Sequence, residues 1–205
     1  MAGASFTIQR SRDLDAAAEG ISVTAIGAAT SSAGCGEIRT EPAAGKVRHV
    51  DGQRVDYADS PPAYGSHWSS PAEFDRTYYD DVDRPELERL VQQLEQGYTI
   101  VWYDATVAAD EAQLQAIENL AAVFAADANR VIAAPWTSND GDPFPHDTHV
   151  ALTHWAIEGD DARQGQGMGV WQYCDRPSGE VLADFVEQYP YTNSPEPDGE
   201  GSAPS

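Results

Sequence analysis

Basic residues are scarce in this chain. Lys46 is the only lysine, and 12 basic side chains stand against 34 acidic ones, for a formal net charge of −22. Such a surface repels nucleic acid and anionic lipid, which excludes both as partners. It suits a soluble, self-repelling monomer. A salt-rich habitat, where screening relieves the repulsion, is one source of this balance, and acidic tails are another. Cysteine is almost as rare: Cys35 and Cys174 are the only two. Neither sits in a CxxC pair or near spaced histidines, which excludes a zinc knuckle and a redox dithiol. They are either one disulfide or two unrelated buried thiols. No apolar run approaches the ~18–20 residues of a membrane-spanning helix, and the N-terminus has no signal-peptide core. Nucleophile elbow, phosphate loop and dinucleotide fingerprint are also missing; GQGMG at 165–169 lacks the flanking strand and helix. No reaction can be read from the chain, and the expectation is a protein that is not an enzyme.

What is present is material for a core. Hydrophobic residues make up 41% of the chain, with five tryptophans and nine tyrosines, enough for one domain of this length. Asp83–Asp104 organises it. Asp83, Pro85 and Glu86 have the spacing of a capping box, and Leu87, Leu90, Val91 and Leu94 form one apolar stripe at helical spacing. Gly97 is the expected stop. Tyr98–Tyr103 is aromatic and β-branched without charge, so it reads as a strand covered on both faces.

Residues 1–33 are Ala/Ser/Gly-rich and read as a low-order segment, 34–193 as a single globular domain, and 194–205 as a disordered acidic tail. From Gly34 the β-prone pieces Val47–Val50 and Arg54–Tyr57 alternate with Gly and Pro, an extended wrap. Pro61–His67 is a stiffened turn that holds one imidazole. Downstream, the spacing predicts a helix over Asp110–Asp127, strands over Arg130–Ala134, Thr148–Ile157 and Val170–Cys174, and a helix over Ser178–Tyr189. The predicted class is α+β: a mixed β-sheet with helices packed against it, a βαββα core preceded by an extended, β-rich wrap. The unit at 98–134 should be a parallel crossover, and the next strand should return antiparallel.

The runs VDYADSPPAYGSHW, LVQQLEQGYTIVWYD, VALTHWA and DFVEQYPYTNSPE, in that order, resemble the bacterial domain-of-unknown-function 3105 family. Its marks are a P-P-T-S-G-P-H turn, an H-x-L-E-H-G segment opening a strand, an L-T-A-W strand and a closing P-E. His49 and His67 stand at family histidines, Glu95 and Gly97 at the E and G of the second motif, Trp155 at the tryptophan of the third, and Pro195 and Glu196 at the close. Gln92 and Gln96 stand where the second motif has histidines, and His154 replaces an alanine. Neutral imidazole suits copper and zinc and an amide does not. The resemblance therefore implies a metal site built on His67, His49 and Glu95 with His154, weakened by the two glutamines. Two readings stand. One is a non-enzymatic accessory domain, structural or partner-binding, with a degenerate metal site. The other is a protein that binds copper or another transition metal through His67, His49 and Glu95. Family members are commonly exported, which implies an extracytoplasmic or secreted location; the missing signal core leaves the cytoplasm as the alternative. His146 and His149 lie beside Asp140, Asp142 and Asp147 in a loop, where a spacing of three does not converge ligands, and they read as hydrogen-bonded or exposed.

Overall fold

The computed structural model describes residues 22–43, 47–69, 76–125, 130–158 and 166–199. Its elements are β1 (Arg39–Pro42), α1 (Leu87–Glu95), β2 (Thr99–Tyr103), α2 (Ala105–Ala109), α3 (Glu111–Ala125), β3 (Val131–Pro135), β4 (Val150–Glu158), β5 (Gln166–Cys174) and α4 (Gly179–Gln188). The strands form one mixed sheet in the order β1-β5-β4-β2-β3. Only β2 and β3 run parallel; β4 returns antiparallel to β2, as the sequence predicts.

Both faces of the sheet are covered, and β2 shows how. Val101 and Tyr103 join a core with Ile117, Leu120 and Phe124 of α3 and Leu182 and Phe185 of α4. Ile100 and Trp102 join a second core with Leu87, Leu90, Val91 and Leu94 of α1 and with Trp155 and Trp171. Alternate residues of a strand point to opposite faces, so an uncharged strand of this kind fits only the middle of a three-layer stack. The fold is α+β, with α3 and α4 on one face and α1 with the 57–64 segment on the other. No described helix is long and apolar enough to cross a membrane.

Several local expectations are corrected. The helix starts at Leu87, after Glu86, and no side chain caps it. Asp83 is engaged elsewhere: its carboxylate accepts from Arg76 Nη1 at 2.6 Å and from the Asp80 amide at 3.0 Å. Val47–Val50 and Arg54–Tyr57 form no strand and contribute one isolated bridge, His49 to His67. The extra strand is β1, paired to β5, and α2 is capped by Asp104, whose side chain accepts from Thr106 and Val107 amides. Within the segment read as low-order, residues 1–21 lie outside the described residues. Residues 23–25 and 30–32 are short 3-10 turns, and Ile26 and Ala33 are buried in the α4-side core. Cys35 and Cys174 are joined by a disulfide that ties this segment to the end of β5.

Candidate metal centre

The proline turn is anchored before it reaches its histidine. The Trp171 indole donates to the Pro61 carbonyl at 2.8 Å, and the Tyr173 hydroxyl donates to Ser60 O at 3.2 Å. Tyr57 donates to Ser66 O at 2.7 Å. Gly65 has φ +144, and a Cβ there would crowd the Tyr57 ring at 2.9 Å, so the residue before Ser66 must be glycine. The chain then pairs with the wrap: His67 N donates to Arg48 O at 3.1 Å and Val50 N to His67 O at 2.9 Å. That bridge sets the His49 and His67 rings side by side, centroids 5.0 Å apart.

The third group comes from the last turn of α1. Glu95 Oε2 lies 3.0 Å from His67 Nε2. One ligand atom from each of His49, His67 and Glu95 falls within 4.8 Å of the others, with His67 buried, Glu95 half-buried and His49 exposed. His67 Nδ1 is 2.9 Å from the Gly65 carbonyl. A carbonyl only accepts, so Nδ1 carries the proton and Nε2 of the neutral ring carries a lone pair. That lone pair faces a carboxylate. The contact is short but off the ring's hydrogen-bonding axis, and Nε2, which is buried, has no aligned partner among the described residues. A hydrogen bond weakens steeply off axis, so the short distance alone makes none here. A positive charge is needed between these two groups, either a proton on Nε2 or a metal ion that both atoms bind. For the proton, burial pushes His67 down. The hydrogen-bonding and charge of Glu95, the Gly65 carbonyl and the charge of Glu196 outweigh it, and the net shift is upward.

His154, the fourth candidate ligand, is not in this cluster. It is fully buried on β4, with Nε2 3.1 Å from Asn193 O and Nδ1 3.2 Å from Thr99 Oγ1. Nε2–H donates to the carbonyl and the threonine hydroxyl donates to Nδ1, so no lone pair is left for a metal. Burial pushes its pKa down to about 4. Gln92 is buried and donates to Ser69 O at 3.1 Å, while its Oε1 has no partner among the described residues. The Gln96 side chain packs against Gly199. His149 Nδ1 lies 2.9 Å from Asp104 Oδ2, at the opposite end of β2 from Glu95, and His146 is exposed with φ 61.

Sequence reasoning assigned no part to two neighbours. Glu196 is brought alongside Glu95 by a backbone bond from its N–H to Glu95 O at 2.9 Å, and its charge reaches His67. Trp155 meets the His67 ring edge-on at 6.0 Å, and its buried Nε1–H has no partner among the described residues. Both lie in the quoted motifs, THW and SPE, which was the available signal.

Residues 49–203 match the family model described as "Protein of unknown function (DUF3105)". The chain belongs to this family. The match spans His49, His67, Glu95 and Glu196, so the whole cluster lies within the DUF3105 domain. No curated protein and no solved structure matches the chain.

Proposed function

We propose that this DUF3105 domain binds a first-row transition metal ion, copper or zinc, through His67 Nε2, His49 and Glu95, and that it does so as an extracytoplasmic accessory domain without a reaction of its own. The observation that carries the reading is the buried Nε2 lone pair of His67 aimed at a carboxylate with no aligned donor between them. Two imidazoles and one carboxylate are a donor set that zinc and copper accept, and three protein ligands leave a position open to solvent. Bonds of ~2 Å place donors ~3–3.5 Å apart, so the cluster must contract slightly. The exposed His49 is free to supply that movement. Glu196 is a further carboxylate whose charge reaches His67. The disulfide supports an oxidising compartment.

Calorimetric titration of Zn2+ and Cu2+ into the full chain tests the reading. Stoichiometric binding at micromolar or tighter affinity is expected, lost in His67→Ala and weakened in His49→Ala. Gln92→His, which restores an imidazole one turn before Glu95, is expected to tighten it. Undiminished binding by a folded His67→Ala variant overturns the assignment.

A further inference from the structure

The bridge that joins His49 to His67 has a second side. It is parallel, held by His67 N to Arg48 O at 3.1 Å and Val50 N to His67 O at 2.9 Å. Side chains next to a bridged residue point to the opposite face of β-type backbone. The two histidines take one face, and Arg48, Val50 and Ser66 take the other. There they line an open cleft of about 430 Å3 together with Gln53, Arg54 and Val55, within the size range of small-molecule sites. Hydrogen bonds fix the backbone of this lining. Gln53 N donates to Val50 O at 2.9 Å, and the Trp68 indole donates to Gln53 O at 2.8 Å. Val55 N donates to the buried Glu88 carboxylate of α1 at 2.6 Å.

Every polar side chain lining the cleft can donate, and none is an acid. In a chain with 34 acidic and 12 basic residues, a guanidinium has carboxylates at hand. Arg39, Arg76, Arg84 and Arg89 are each paired with one. Among the described residues, Arg48 and Arg54 are paired with none. Arg54 spends one N–H on the Asn139 carbonyl, which leaves its charge uncompensated. Ser66 Oγ accepts from the Arg48 amide at 3.2 Å, so its hydroxyl hydrogen is left to donate. The acids bonded to the same wrap are taken by other groups: Asp51 by the Ser69 amide and hydroxyl, at 2.6 and 2.7 Å, and Glu88 by Val55 N. A cation would meet two like charges here, and a neutral ligand would leave both without a partner. Two forked donors on separate stretches of backbone match an anion that carries more than one charged group.

We propose that this cleft binds a small polyvalent oxyanion, a di- or tricarboxylate or a diphosphate, between the guanidiniums of Arg48 and Arg54, with Ser66 as a further donor. The site lies behind the bridge and does not rest on the metal reading. The metal-free full chain is titrated with citrate and with inorganic pyrophosphate at constant ionic strength and followed by NMR. Mildly alkaline buffer keeps an exposed histidine neutral and out of the comparison. Saturable shifts are expected for the amides of residues 48–50, 53–55 and 66 and for the Nε–H of Arg48 and Arg54. The tighter of the two anions tells whether carboxylate or phosphate groups fit the pair. Arg48→Gln and Arg54→Gln should each weaken binding by about fivefold or more, and Arg48→Lys should weaken it less than Arg48→Gln does, because the charge is kept and only the fork is lost. The proposal is overturned if neither anion saturates, or if a folded variant carrying both Arg48→Gln and Arg54→Gln binds as the parent does. It is also overturned if Arg176→Gln, at an exposed arginine outside the cleft, weakens binding as much, since attraction then tracks net charge and not the cleft.

Discussion

His67 and His154 are both buried, and their hydrogen-bond partners send them in opposite directions. His67 faces a carboxylate and is raised; His154 faces the Asn193 and Tyr98 carbonyls and the Thr99 hydroxyl, and burial lowers it to about 4. The signs follow by linkage. A raised histidine contributes stability that is present below its unfolded pKa and lost as pH rises through the folded one. A lowered histidine costs stability as pH falls from its unfolded value near ~6.5 toward about 4, where the loss saturates. His154 is the better test because only the Asn193 and Tyr98 carbonyls offset its burial, and only in part. We expect the urea stability of the parent to fall relative to His154→Gln between neutral pH and pH ~4, by on the order of 3 kcal/mol. Parallel pH profiles for the two proteins would show that His154 takes up its proton without resistance. For His67, a metal ion bound as proposed would compete with the proton for Nε2, so metal affinity should grow as pH rises through its raised pKa.

At the scale of elements, α1 is a lever whose glycine end carries Glu95 to His67. Its apolar stripe, Leu87, Leu90, Val91 and Leu94, is buried to the last residue, which fixes the rotation of the helix and hence the direction of Glu95. Gly97 then turns the chain into β2 with φ +90, and a Cβ there would overlap the Tyr191 carbonyl oxygen. The C-terminal strap passes over this point. Arg130 Nη1 holds it by donating to Gln96 O at 2.5 Å and Pro197 O at 2.7 Å, and Asn193 Oδ1 accepts from Ile157 N at 3.0 Å. Gly97→Ala should therefore cost more than the ~1–2 kcal/mol of a left-handed non-glycine residue, because the strap is displaced as well. Chemical denaturation gives the loss, and NMR should show residues 191–199 shifted most. A loss of only a few tenths would mean that the strap rests on the helix end without being seated there.

For the molecule as a whole, the disulfide closes a loop of sequence separation 139 between the N-terminal segment and the sheet. It constrains the unfolded chain, and its reduction is expected to lower stability by about 2–5 kcal/mol. Unfolding with and without reductant measures this, and alkylation with intact mass before reduction should find no free thiol. Equal stability in both states would mean that β1 and the turns at 23–32 hold the segment unaided. The net charge of −22 adds a long-range repulsion opposing the compact state, and it is the background against which the proposed metal site acts.

The sequence by itself determined what depends on neighbours along the chain. The stripe of α1, the stop at Gly97, the uncharged β2 and the anchored turn before His67 were legible because helical period, strand period and proline or glycine geometry are local. The four-residue β1 was not legible: RTEP carries no strand pattern and is extended only because β5 supplies the partner. The capping box at Asp83 failed because Arg76, a side chain outside it, claims the carboxylate. Tertiary structure alone decided which histidines meet. His49 and His67 are joined by a bridge between two irregular segments, whereas His154, in an equally suggestive motif, is turned to Thr99 and Asn193 and spends both ring nitrogens there. Composition and spacing specify which donors exist. Which lone pairs remain free is settled only when backbone groups from distant segments compete for them.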